Sequence, residues 1–154
     1  MRIERIVYQC RSGAHAAPVA AAIHLGLLPA GRRPTRREIA AVPGFDRLGP
    51  HDLGFLHACG RGPDGCEVFV MGVGRHADLA RRAAGAAGNL AGLDPLSFAF
   101  VDCSRVPGPL WQAAGRLVQL ILGRGARRAF LAAALARSYP VLARIAGDGG
   151  RISP

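Results

Sequence analysis

The 154-residue sequence predicts a single α/β domain, a three-layer sandwich on a mostly parallel sheet with one β-hairpin. Three observations lead there. Short β-prone runs alternate with helical patterns, the order that joins parallel strands through crossover helices. One pair of runs, Phe55–Cys59 and Cys66–Met71, is separated by turn residues instead of a helix. Half of the residues are apolar, enough for a core at this length without metal or disulfides. The domain is expected over residues 1–147, with 148–154 as a flexible tail.

The first strand is expected over Ile3–Gln9, centred on Ile6-Val7-Tyr8, and stops at the turn-like Cys10-Arg11-Ser12-Gly13. A helical pattern then begins near Ala14, with Val19, Ile23 and Leu27 at four-residue spacing and Gly26 as its stop. Thr35 and Glu38 have capping-box spacing and open a short helix to about Val42, which Pro43-Gly44 ends. In the hairpin turn, Pro63 presets φ and Gly65 accepts positive φ. After Gly72-Val73-Gly74 a helix is expected from Arg75 to about Leu90, followed by an apolar strand over Leu96–Val101. Leu110, Ala114, Leu117, Val118 and Ile121 mark an amphipathic helix with Trp111 on its flank, stopped at Gly123-Arg124-Gly125. Residues 128–136 admit two readings: alanine content favours helix, and position favours strand. Ser138-Tyr139-Pro140 opens a terminal helix, with proline tolerated in its first turn.

Twenty basic residues face ten acidic ones, for a net charge of +10. Every basic residue is arginine. The lack of lysine excludes a P-loop lysine, Schiff-base chemistry and a kinase-type lysine. The surplus raises the expectation of a polyanionic partner, though arginine-, alanine- and glycine-rich coding in GC-rich DNA produces the same balance. Arg32-Arg33, Arg36-Arg37, Arg81-Arg82 and Arg127-Arg128 come as pairs, and the first two pairs make a local basic cluster suited to phosphates. Aromatic residues make up only 6%, so stacking platforms for RNA bases are few. No run reaches the ~18 apolar residues of a membrane helix, and no signal peptide opens the chain. Four cysteines without an export signal read as reduced thiols of a cytoplasmic protein.

Chemistry is expected at the first strand-to-helix turn. In open α/β sheets ligands bind beyond the carboxyl ends of the strands, where a helix N-terminus offers backbone N–H groups to an anion. Arg11, Ser12, Gly13 and Ala14 would hold that anion, while Cys10 and His15 are the catalytic candidates. The dipole there favours a Cys10 thiolate and a neutral His15. Strand, cysteine, turn and helix together resemble the low-molecular-weight tyrosine phosphatases. Their Cys-x5-Arg is missing, because the sixth residue after Cys10 is Ala16.

A second ligand-binding turn is expected at Gly72, Gly74 and Arg75, where Gly72–Ala77 fits G-x-G-x-x-A and Asp102 ends the next strand. Ser12, His15 and Asp102 spell a Ser-His-Asp set, without the G-x-S-x-G elbow that usually presents such a serine. Cys59, Cys66 and His57 lack zinc spacing, so neither a metal nor a cofactor is expected. His24, nine residues from His15, faces the other way on a helix and reads as a packing residue.

Ile6-Val7-Tyr8-x-Cys10-x-x-Gly13-Ala14-His15 and Ala20-Ala21-Ala22-Ile23-His24-Leu25-Gly26-Leu27-Leu28-Pro29 resemble an uncharacterised bacterial family, domain of unknown function thirty-one eighty-nine. That family is found largely in spore-forming Gram-positives. Pro34-Thr35 with Glu38-Ile39, Pro43-x-Phe45-Asp46, and the stretch from Gly62 to Gly72 extend the likeness. The resemblance implies a compact cytoplasmic α/β protein whose signature is the first turn. It also implies serines just after the histidine, where this chain has Ala16 and Ala17.

Together these readings predict a protein that binds a phosphorylated small molecule or nucleotide at the first turn. The alternative is a non-catalytic, arginine-rich module for RNA or an acidic protein.

Overall fold

The computed structural model describes residues 3–149. Four strands, β1 (Arg5–Cys10), β2 (His57–Arg61), β3 (Glu67–Gly72) and β4 (Phe98–Asp102), form one open sheet in the order β2-β3-β1-β4. Six α-helices accompany them: α1 (Ala16–His24), α2 (Arg36–Ala40), α3 (Ala77–Leu90), α4 (Pro109–Leu122), α5 (Arg124–Arg137) and α6 (Tyr139–Gly149). β1 runs parallel to both β3 and β4, while β2 returns antiparallel to β3.

The α/β class is as expected, but the sheet is mixed and not mostly parallel. The reason lies in 128–136, the segment with two readings, which is helical within α5. No further parallel strand forms there, so the antiparallel hairpin strand weighs heavily in a sheet of four. The expected strand over 55–59 also shifts to His57–Arg61 and is largely exposed. It is an edge strand, with neighbours on one side only.

Alternation along the central strands builds two apolar clusters on opposite faces. Ile6, Tyr8 and Cys10 of β1, Val68 and Val70 of β3, and Ala99 and Val101 of β4 face the larger one with α1, α2, α5 and α6. Val7 and Met71, with Phe69, Phe98 and Phe100, face the smaller one, which Ala77 and Ala80 of α3 cover. α4 packs outside α5, where a Cβ on Gly115 would lie 3.1 Å from Leu131. Small residues dominate α1, so the helix sits close on the sheet and is buried from Ala16 to Ile23.

α1 ends at the expected glycine: Gly26 has φ +72°, and the Leu27 N–H donates to the Ala22 carbonyl. Thr35 and Glu38 form the expected capping box on α2. At the other end of the chain, α6 carries two residues past the expected domain boundary at 147, and the rest of the expected tail, 150–154, lies outside the described residues. Among the described residues no single helix is long and apolar enough to cross a membrane.

Candidate functional site

β1 and β3 are parallel neighbours whose following helices leave for opposite faces of the sheet. Such a divergence opens a crevice at the strand ends. The two turns expected to bind a ligand meet there. The Val73 N–H donates to the Cys10 carbonyl (3.1 Å), and the Gly74 N–H donates to the Arg11 carbonyl (2.9 Å). Gly13, Ala14 and Gly72 are buried in this junction, whereas Cys10, Arg11, Ser12, Gly74 and Arg75 line a cleft of about 650 Å³. Close backbone contact therefore accounts for Gly13 and Gly72, and Asp102 is turned to its own loop, accepting from the Ser104 N–H (2.8 Å).

The far wall comes from parts of the chain that carried no site expectation. Arg47 follows α2, Arg116 lies on α4, and Arg124 and Arg127 lie on α5. With Arg11 and Arg75, six arginines line the cleft, and Asp46 is its single carboxylate. The arginine pairs noticed in sequence divide by helix geometry: Arg127 faces the cleft, whereas Arg128 donates to the Ala40 carbonyl (2.7 Å) and sits over the Phe45 ring. Arg32 is paired with Glu38 and Arg81 with Asp78 on the surface.

Asp46 completes a chain of hydrogen bonds from the first turn. The Ala14 N–H donates to Ser12 Oγ (3.2 Å), Ser12 Oγ lies 3.1 Å from His15 Nδ1, and His15 Nε2 lies 3.0 Å from Asp46 Oδ1. Arg127 Nη1 donates to the same Asp46 oxygen (3.2 Å). A carboxylate only accepts, so Nε2 carries the imidazole proton and Nδ1 is left to accept from the Ser12 hydroxyl. Burial holds the His15 pKa below its ordinary 6.5; the Asp46 hydrogen bond opposes this, and the Arg127 charge adds to the lowering. His15 is thus neutral at pH 7, as expected, with burial as the leading cause.

The loop that supplies Asp46 is firmly held. Phe45 is fully buried and meets the His15 ring edge-on at 5.8 Å. The Asp46 N–H donates to the Ala14 carbonyl (2.7 Å), and Asp46 has φ +56°, the one non-glycine left-handed residue among those described. Sequence reasoning paired Ser12 and His15 with Asp102; Asp46, 31 residues from His15, takes that place. Its one sequence signal was its position in Pro43-x-Phe45-Asp46.

The remaining candidates lie elsewhere. His24 sits at the opposite end of α1, its ring bridging the Tyr8 hydroxyl (2.8 Å) and Asp64 (3.1 Å). Cys66 is half-buried on β3's approach and donates to the Ile3 carbonyl, and Cys59 lies on β2. Among the described residues no group of three or more His, Cys, Asp or Glu is placed to hold a metal.

A family model described as protein of unknown function, DUF3189, matches residues 5–148. The chain belongs to the DUF3189 family. No curated protein and no solved structure matches it. The matched span contains both turns, Asp46 and all six cleft arginines, so the whole cleft falls within the DUF3189 domain.

Proposed function

We propose that this protein binds a phosphate-bearing small molecule in the cleft between the first turn and α5. The observation that carries this reading is six arginines around one carboxylate. Guanidinium groups are permanently charged forks that match phosphate oxygens two at a time. The first turn of α1 adds its free N–H groups and the positive end of its dipole. Ala16 and Ala17 are buried there, so backbone and arginines take the place of the hydroxyls implied by the family resemblance. A volume of about 650 Å³ suits a sugar phosphate or a nucleotide, since small-molecule sites span about 300–1,000 Å³.

Thermal shifts of wild type and Arg116→Gln with inorganic phosphate, sugar phosphates, nucleotides and a short RNA test the reading. Ligand at ~100 Kd adds ~2.7 kcal/mol of stability. Shifts with small phosphorylated compounds, reduced in Arg116→Gln, support it. A shift with RNA alone, fading in salt and indifferent to Arg116, favours an arginine-face RNA binder. No shift with any small phosphorylated compound refutes it.

A further inference from the structure

We propose that Ser12 is the nucleophile of a phosphoryl-transfer reaction on phosphomonoesters, with His15 as its general base and Asp46 as the group that positions His15. The proposal rests on the anion-binding reading of the cleft and adds a reaction to it. Its basis is the directed chain Ser12 Oγ–His15 Nδ1–Asp46 Oδ1, with links of 3.1 and 3.0 Å, opening onto the arginine-lined cleft.

Each link has the polarity the chemistry requires. Asp46 fixes the proton on Nε2, so Nδ1 presents a lone pair to the Ser12 hydroxyl. The Ala14 N–H, donating to Oγ, leaves the Ser12 proton directed at His15. An imidazole kept neutral is ready to accept that proton at pH 7. Asp46 is held at φ +56°, a backbone state that costs a non-glycine residue energy and often marks functional positions. Ser12 and His15 are both partly exposed to the cleft, so a substrate reaches the hydroxyl.

In the first step Ser12 Oγ bonds to phosphorus as the bond from phosphorus to the ester oxygen breaks. The Ser12 proton passes to His15 Nδ1 and stays there, while the alkoxide, departing in line on the far side of phosphorus, takes a proton from solvent, giving an alcohol and phosphoserine. In the second step a water oxygen bonds to phosphorus from the side the alcohol vacated, releasing a proton to solvent, while His15 still holds the Ser12 proton. The Oγ–P bond breaks, the proton returns to Oγ, and inorganic phosphate leaves. Neither step changes an oxidation state. Arginines around the cleft stabilise the charge spread over the equatorial oxygens, the main source of catalysis in phosphoryl transfer.

The test uses p-nitrophenyl phosphate with wild type, Ser12→Ala and Asp46→Asn, reading nitrophenol release and, after acid quenching, phosphopeptides by mass spectrometry. Asparagine tolerates the left-handed conformation as aspartate does. Its amide can donate to Nε2, which moves the ring proton to Nδ1 and removes the base while the backbone stays in place. Wild type is expected to turn over and to carry phosphate on Ser12. Ser12→Ala loses the adduct, and Asp46→Asn falls by ~10³–10⁴-fold, the scale of the matching change in serine proteases. Urea unfolding of both variants checks that each is folded.

A wild type that binds phosphate but neither turns over nor becomes labelled overturns the reaction and leaves the binding reading standing. Phosphate found on Cys10 overturns the assignment of Ser12. Unchanged turnover in Asp46→Asn overturns the His15 base. Loss of the phosphate shift in wild type itself removes both readings.

Discussion

A Cβ on Gly13 would lie 2.6 Å from the backbone nitrogen of Gly72 and 2.9 Å from its Cα. The reverse contact is as tight, because a Cβ on Gly72 would meet the Ser12 carbonyl oxygen at 2.8 Å. The two cleft-lining turns therefore share one backbone-to-backbone seam, and the seam sets the position of Ser12.

Gly13→Ala should be among the most damaging single-methyl changes in the protein. Gly13 has φ +72°, a conformation that costs an alanine ~1–2 kcal/mol, and the clash with backbone adds an overpacking cost of ~1–3 kcal/mol. Urea unfolding is expected to show a loss of about 2–5 kcal/mol. A loss below about 0.5 kcal/mol, the range of an ordinary surface change, would mean that the turns are not packed together in this way. Gly26→Ala gives a control: φ is also +72° but no atom lies within 4 Å of the added Cβ, so only the conformational cost remains.

Part of this arrangement was readable in the residues. The β-prone run Ile6-Val7-Tyr8, the Thr35–Glu38 capping box, the Gly26 stop and the hairpin turn are local signals, and each element stands close to where its signal lies. The first turn was likewise marked by a short glycine-containing break between strand and helix. The opposite wall was not readable, because nothing local distinguishes Arg116, Arg124 or Arg127 from the fifteen other described arginines until helix packing turns them inward. Segment 128–136 illustrates the same limit: its alanines permit either state, and burial of Leu131, Ala132, Ala134 and Leu135 at helical spacing decides it. Asp46 was missed for a related reason, since its contact with His15 depends on a loop folding back across 31 residues.

The hydrogen-bonded group at the other end of α1 should behave as a structural tie. The Tyr8 hydroxyl lies 2.8 Å from His24 Nδ1, and His24 Nε2 lies 3.1 Å from Asp64. A Cβ on Gly62 would strike the His24 ring at 2.6 Å, so the hairpin turn also closes on that ring. Tyr8→Phe removes the hydroxyl from a fully buried position and leaves His24 Nδ1 short of a partner, at a cost of about 1–3 kcal/mol. Phosphate binding in the cleft should be unchanged once the variant is folded. A large loss of phosphate affinity, with stability intact, would show that the two ends of α1 are coupled.

Arg127 links the charge of the cleft to the state of His15. It donates to Asp46 Oδ1, the oxygen that His15 also meets, and its charge lowers the His15 pKa. Arg127→Gln keeps a donor near Asp46 and removes the charge. The His15 pKa should then rise, which an NMR titration of its ring protons reads directly. Phosphate affinity should fall by about tenfold or more, since hydrogen bonds to charged groups are worth ~1.5–3 kcal/mol. A His15 pKa that stays put or falls would rule out this electrostatic link.

The lowered His15 pKa also fixes the sign of the protein's acid sensitivity. Burial favours the neutral ring in the folded state, while the unfolded ring protonates near its ordinary 6.5. Between that value and the lower folded pKa the unfolded chain binds more protons, so stability falls as pH falls. Above 6.5 both states are neutral and His15 contributes no pH dependence; below the folded pKa both are charged and the dependence ends. In His15→Gln this contribution disappears. The difference in unfolding free energy between wild type and His15→Gln, followed by urea titration from pH 7.5 down to pH 5, should therefore shift against wild type as the solution is acidified. A shift in favour of wild type would mean that the Asp46 carboxylate outweighs burial and that His15 is charged when folded. In that state Nδ1 would carry a proton toward Ser12, and the ring could not serve as its base.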